Sequence, residues 1–239
     1  MIVRDAHESG RFDAPDAQER KMLGNLARRA IVGVVTEAVG LKPLDGWLTY
    51  GKETKVLWED ATWELIDSGT ESLPTPNWKR GTSKRTTVDI TWAVLRHRKK
   101  GLTLLRLGGH LPAHLIKPSQ KAANQAALDT LGPLVEQLIA EHAPDITTAS
   151  FDLNRNLRRK SQRLIVREAF MGTGLRLVVP PKGTHRLAKI DGLFTTGDLP
   201  DPEMLPRVKR YDHRGVAMRS CACPTPTTAT KAGKHKETR

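Results

Sequence analysis

The sequence predicts a mixed α/β sandwich, and three observations point there. Short apolar, β-branched runs recur along the chain, stretches with helical apolar spacing lie between them, and both hairpin turns and helical crossovers connect them. A chain of 239 residues with 38% hydrophobic content is long enough for one large domain with a substantial core.

Taken in order, Asp13 to Ala30 reads as a helix. Asp13 caps its start, Pro15 suits the first turn, and Ala17, Met22, Leu23 and Leu26 supply an apolar face. Ile31 to Val35 follows as a buried strand ending at Glu37. Trp47 to Tyr50, Lys55 to Trp58 and Ala61 to Ile66 are expected as short strands of a meander, from their aromatic and β-branched content and the Gly and charged turns between them. Thr86 to Arg96 and Leu102 to Leu107 form a hairpin turned by His97 to Gly101, and this hairpin delivers His110.

Pro118 to Glu141 is the longest helix, with Ala122, Ala126, Leu131, Leu134, Leu138 and Ile139 near helical spacing; Gly132-Pro133 is expected to kink or split it. A strand over Ile146 to Ser150 follows directly. Ser161 to Phe170 is a basic helix, and Leu175 to Val179, Lys189 to Phe194, Leu205 to Tyr211 and Gly215 to Met218 read as strands. From Ser220 onward Pro, Thr, Ala and Lys dominate and cannot bury enough apolar surface to fold. One domain over 1–219 and a disordered basic tail over 220–239 are therefore expected.

Charge narrows the function classes. Lys and Arg total 39 against 26 Asp and Glu, a net charge of +13, which favours a polyanionic partner because cations that neutralise phosphates release condensed counterions. Nucleic acid is the expected partner, DNA ahead of RNA, with the protein acting as a monomer. No run approaches a membrane span and no basic amphipathic helix with an apolar face is evident, so no membrane role is expected. The N-terminus Met1-Ile2-Val3-Arg4-Asp5 lacks the apolar core of a signal peptide, which implies a cytoplasmic location. Cys221 and Cys223 are too close in sequence for a good disulfide and are expected as free thiols.

The residues that carry chemistry begin at Phe151-Asp152-Leu153-Asn154, directly after the strand-like run Ile146 to Ser150. At a strand end a D-x-N pair directs a carboxylate and a carboxamide toward one spot, where Asp152 can orient or deprotonate a water and Asn154 can hold it or a phosphate oxygen. Alone the motif fits an Asx-turn as well. Its company matters: Gly109-His110-Leu111-Pro112 upstream, and Ile190-Asp191 and Tyr211-Asp212-His213 downstream.

A Glu-bearing strand (Val34-Val35-Thr36-Glu37), a His-bearing loop, D-x-N, I-D and a terminal D-H, in that order, resemble the endonuclease/exonuclease/phosphatase superfamily over about Ile31 to Arg219. The resemblance implies a four-layer sandwich of two packed mixed β-sheets flanked by helices. It also implies Mg²⁺ or Mn²⁺ held mainly by Glu37 with Asp212 near the metal, His110 and His213 stabilising phosphoryl charge, and Asp191 fixing the His213 imidazole. Glu37 has an alternative in a salt bridge to Arg28 or Arg29, and the D-H pair in a plain turn. Members of the superfamily begin with an apolar strand that ends in Asn; Met1 to Ala6 is too short and offers Arg4 or Asp5, so that element is expected to be lost or the start truncated. Phe151 and Tyr211 stand where the family places Gly and Ser.

Two basic groups complete the reading. Trp78, Lys79, Arg80, Lys84 and Arg85 are expected in a loop rich in Pro, Gly and Ser, and Arg155, Arg158, Arg159 and Lys160 follow D-x-N; both groups are expected to track a phosphate backbone, with Trp78 stacking on a base or anchoring the loop. The chain is thus expected to be a metal-dependent phosphodiesterase, foremost a nuclease. The alternatives are a phosphatase on a small phosphoester and a catalytically silent nucleic-acid-binding protein.

Overall fold

The computed structural model describes residues 2–9, 17–29, 31–36, 38–80, 83–113, 118–185, 188–198, 202–206 and 215–221. In chain order the elements are β1 (Ile2–Ser9), α1 (Ala17–Arg29), β2 (Val32–Thr36), β3 (Trp47–Tyr50), β4 (Lys55–Glu59), β5 (Trp63–Arg80), β6 (Ser83–His97) and β7 (Thr103–His110). Then follow α2 (Pro118–His142), β8 (Ile146–Asp152), α3 (Lys160–Ala169), β9 (Arg176–Val178), β10 (Asp191–Thr195), β11 (Glu203–Met204) and β12 (Val216–Cys221).

The strands form two six-stranded sheets, one in the order β11-β12-β1-β2-β4-β3 and the other β5-β6-β7-β8-β10-β9. Each is mixed in the same way. Its one parallel pair, β1 with β2 or β7 with β8, is bridged by a helix, α1 or α2, and its remaining pairs are antiparallel. A parallel pair needs such a crossover, because the chain must return to the starting edge before it can run in the same direction again.

The layers follow from which face each strand buries. Leu23 and Leu26 of α1 share a cluster with Val35, Leu57, Leu205 and Ala217 on the outer face of the first sheet. Val32, Val34, Val56 and Trp58 of that sheet meet Ala93, Leu95, Leu104 and Ile146 of the second in a core between the sheets. On the far face of the second sheet α2 and α3 cover Val94, Leu105, Leu107, Ala149, Phe151 and Phe194. The result is the four-layer sandwich of two packed mixed sheets flanked by helices. β8, covered on both faces, is buried at all seven positions.

One glycine fixes how closely the sheets meet. A Cβ on Gly108 of β7 would lie 2.3 Å from Val34 Cγ1 of β2, so only glycine admits that contact. Because Val34 lies against Gly108, two residues before His110, while Val32 two residues earlier shares its cluster with Leu104 and Ile146 near the starts of β7 and β8, β2 leaves the interface at the same end as His110.

Several expectations are corrected. The N-terminal strand is present: Ile2–Ser9 pairs in parallel with β2 and antiparallel with β12, ending with Ser9 beside Thr36, although it contains no Asn. The three-strand meander does not form, since β3 and β4 pair in the first sheet while β5 crosses to the second and pairs with β6. α2 runs unbroken through Pro133. The basic segment around Trp78 is not a loop but the outer part of the β5–β6 hairpin, with Trp78 opposite Arg85, Lys79 opposite Lys84 and Arg80 opposite Ser83. Ser220 and Cys221 belong to β12, two residues into the segment expected as tail. Leu205 and Pro206 follow β11 outside any strand, and the remainder of the strand expected to reach Tyr211 lies outside the described residues, as do Asp13 and Pro15.

Candidate active site

Register assembles the site. In the parallel β7–β8 pair His110 stands opposite Asp152, and in the antiparallel β8–β10 pair Asp152 stands opposite Asp191. Three polar residues distant in sequence thus occupy one row across three adjacent strands, at the end where β7 and β8 leave the sheet. Ala149 and Phe151 point to the helices, so by alternation Asp152 points into the space between the sheets. Asp152 and Asp191 are each only 1% exposed, which makes any charge on them costly unless polar partners compensate.

Asp152 has such partners. Its Oδ2 lies 3.4 Å from His110 Nε2, and its Oδ1 accepts the backbone N–H of Asn154 at 3.0 Å. That second bond turns the chain sharply and leaves Asn154 at φ +51°, a left-handed conformation that Asn tolerates better than most residues. The Asx-turn weighed against a functional D-x-N is therefore real, and it coexists with the His110 contact. Asn154 Nδ2 donates to Leu111 O at 2.8 Å, and Leu111 N donates to Asp152 O at 2.9 Å, lacing together the two loops that leave β7 and β8. Thr184, 2% exposed, supports the third strand: its Oγ1 accepts from Ile190 N at 3.1 Å and Asp191 N at 3.3 Å.

Asn124 of α2 is the residue that sequence reasoning missed. Fully buried, it donates through Nδ2 to Pro112 O at 2.7 Å and to Leu153 O at 3.0 Å, and its Oδ1 accepts from Arg155 Nε at 2.7 Å. One carboxamide thus ties α2 to both site loops. The available signal was a polar residue on the stripe that buries Ala123, Ala127, Leu128 and Leu131, a position where an unpartnered amide would be costly.

Arg155 is a correction. Expected on the surface among phosphate-binding cations, it is 1% exposed, with NH2 donating to Gln125 Oε1 at 2.6 Å and NH1 to Gln162 Oε1 at 3.3 Å. Burial lowers its pKa from the usual guanidinium value, with Asp129 opposing the shift, yet a guanidinium stays protonated at neutral pH. Its charge is spent on holding α2, α3 and the D-x-N loop together.

The other basic residues divide by position. Arg158 and Arg159 are exposed beside the site. Lys189, just before the Asp191 strand, has its pKa lowered by burial and by the nearby charges of Arg158 and Arg163. Arg163 is fixed there, since NH1 donates to Leu157 O at 2.8 Å and to Arg158 O at 3.0 Å. The last β6–β7 pair is Ile90 with Gly109, so the stretch from Ser83 to Asp89 overhangs the His110 end of the sheet by roughly 20 Å at about 3.3 Å per residue. The backbone of Trp78, Lys79, Arg80, Lys84 and Arg85 lies on that overhang; their side chains lie outside the described residues.

Glu37, Asp212 and His213 lie outside the described residues, so neither the metal-ligand pair nor the Asp191–His213 contact can be placed. Arg28, one alternative partner for Glu37, donates to Asn25 Oδ1 at 2.6 Å. Among the described residues no three His, Cys, Asp or Glu gather closely enough to hold a metal ion. Glu37 directly follows Thr36, the last residue of β2 and two past the Val34 that touches Gly108. The oxygen donors that are described in this region, Asp152 and Asp191, are of the kind that suits a hard divalent cation.

No family model and no curated protein sequence matches the chain. Solved structures do match. An endonuclease/exonuclease/phosphatase from Bacteroides vulgatus superposes with a TM-score of 0.66 at 15% identity, covering 92% of this chain and 98% of that one. The mannosyl-6-phosphatase of Bacteroides thetaiotaomicron follows at 0.62 and 13% identity, over 90% and 98% of the two chains. TDP2 of D. rerio, complexed with a single-strand DNA product, gives 0.59 at 15% identity over 91% and 98%.

The chain adopts the endonuclease/exonuclease/phosphatase fold. At these identities the likeness is one of architecture, and the sequence is a divergent example of it. Within this fold the His110–Asp152–Asp191 row occupies the end of the second sheet, and the laced loops beyond it form the rim.

Proposed function

We propose that the protein is a metal-dependent phosphodiesterase that cleaves nucleic acid. The observation that carries this reading is the row of His110, Asp152 and Asp191 on three neighbouring strand ends, flanked by the basic hairpin overhang on one side and by Arg158, Arg163 and Lys189 on the other. Two known proteins of the same fold, one complexed with a single-strand DNA product and the other a mannosyl-6-phosphatase, support a substrate among the phosphate esters.

In this reading Asp152 orients and deprotonates the attacking water, and the Asn154 carboxamide, steadied by Leu111, holds that water or a phosphate oxygen. His110, oriented by its contact with Asp152, donates to a phosphoryl oxygen as charge grows there. Asp191 fixes the imidazole of His213. Glu37 and Asp212 would hold Mg²⁺ or Mn²⁺, which when bound neutralises phosphoryl charge. The exposed cations bind the polyanion and set its path across the site.

A substrate panel tests the reading: single-stranded DNA, plasmid, RNA, a chromogenic phosphodiester and a sugar phosphate, each across a range of ionic strength. Nucleic acid should be cleaved, with affinity falling steeply as salt rises. Turnover of the sugar phosphate alone, indifferent to salt, would replace the nuclease with a small-substrate phosphatase. Salt-sensitive binding with no turnover of anything would leave a silent nucleic-acid-binding protein.

A further inference from the structure

We propose that a single strand of nucleic acid leaves the candidate active site along α3, with its phosphates on Arg159, Arg163 and Arg167 and its unpaired bases against Leu164 and Met171. The inference rests on the nucleic-acid reading above and adds to it the path of the strand and its single-stranded state.

The helix starts at the site. Leu153 N donates to Ile190 O at 2.9 Å and Leu157 N to Lys189 O at 2.8 Å, so the D-x-N loop is held against the approach to β10 and passes into α3 beside Asp152 and Asp191. From there Arg159, Arg163 and Arg167 recur every four residues, which sets them along one flank at intervals of roughly 6 Å. Such an interval suits neighbouring phosphates of one strand.

Among the described residues none of these three arginines makes an ion pair. The two carbonyls that hold Arg163 fix its guanidinium without neutralising it. Glu168, the only carboxylate of α3, lies round the helix from Arg167 on the far side of Leu164. The apolar half of the proposal stands on the adjoining strip, where Leu164 is 44% exposed and Met171 74% exposed, three residues before Arg167 and four after it. Cations beside uncovered apolar side chains match a ligand with phosphates on one side and flat apolar faces on the other. A single strand presents both, whereas a duplex stacks its bases inside and leaves Leu164 and Met171 nothing to cover them.

Fluorescence anisotropy of the full chain with labelled oligothymidylate, held in chelator so that no strand is cut, provides the test. Affinity should rise with length until the strand spans both the site and α3, at roughly 6–10 nucleotides. Arg167→Gln should weaken that longer strand about threefold to tenfold and flatten the slope of log affinity against log salt by about 0.7, the share of one phosphate. A strand of about four nucleotides, too short to reach Arg167, should bind the variant nearly as well as the parent. Leu164→Ser/Met171→Ser should weaken the longer strand by at least about threefold with the salt slope unchanged, and either single variant replaces the pair if the pair melts below the parent. Parental affinity in Arg167→Gln or in the folded serine variants, or a duplex bound as tightly as the single strand, would overturn the path alone. Absence of binding by any strand would overturn the nucleic-acid reading and this path with it.

Discussion

His110 Nε2 and Asp152 Oδ2 lie 3.4 Å apart across the parallel β7–β8 pair, a contact made because the two residues stand opposite each other at the last paired position of both strands. Residues joined in this way should act as a unit. His110→Ala and Asp152→Asn are each expected to lower kcat by roughly 10²-fold or more, with the double variant little worse than the poorer single one. Steady-state kinetics on the best phosphodiester substrate checks this, and losses that multiply would mean that the two residues work separately.

Asn124 should matter for stability. Truncation to Ala removes both donors to the site loops and the acceptor of buried Arg155 Nε, leaving part of a buried cation without its partner. A loss of about 2–4 kcal/mol is expected from urea unfolding, well above the cost of removing one exposed amide. A change below about 0.5 kcal/mol, the range of ordinary surface substitutions, would show that water or other groups take over those bonds.

The contact between α2 and α3 rests on a missing side chain. A Cβ on Gly132 would sit 1.7 Å from the carbonyl oxygen of Ala169, a backbone atom that cannot rotate aside. Gly132→Ala should therefore destabilise by about 1–3 kcal/mol, although Ala would favour an isolated helix by about 1 kcal/mol. A higher melting temperature for this variant would contradict the packing.

His97 gives an expected pH dependence. Its pKa is lowered, first by burial and then by Lys100, and its Nδ1 accepts the Lys99 N–H at 3.2 Å, a bond that requires that nitrogen to be unprotonated. With the folded value depressed, the unfolded chain takes up the proton first as pH falls. Stability attributable to His97 is present above its ordinary pKa and declines as pH drops from that value toward the folded one. Urea midpoints measured from neutral to mildly acidic pH should fall less for His97→Gln than for the parent.

Local periodicity showed the β6–β7 hairpin, α2, and the strand that ends at Asp152, because each has a strong apolar pattern and clear stops. It did not show that β5 leaves the β3–β4 pair for the other sheet, since alternation reports a buried face without naming its partner. β1 was missed because Arg4, Asp5 and Glu8 break its apolar pattern, and its place is set by partners on both sides, β2 and β12. The Pro, Gly and Ser content around Trp78 reads as a loop, yet β5 is the edge strand of its sheet, where a proline such as Pro74 is tolerated. Arg155 read as surface because arginine usually is; the three amides that bury it come from α2 and α3, contacts that no local pattern reports.

Metal-dependent hydrolysis, measured side by side for the parent and Asp152→Asn, distinguishes a phosphodiesterase built on the row of His110, Asp152 and Asp191 from a protein that only binds nucleic acid. A chromogenic phosphodiester and single-stranded DNA would each be incubated with Mg²⁺, with Mn²⁺ and with chelator. The parent should turn over with either ion and not in chelator, and the variant, with its fold intact, should lose roughly 10²-fold or more. Full turnover in chelator, or parental rates in the variant, would contradict a metal-dependent phosphodiesterase built on that row.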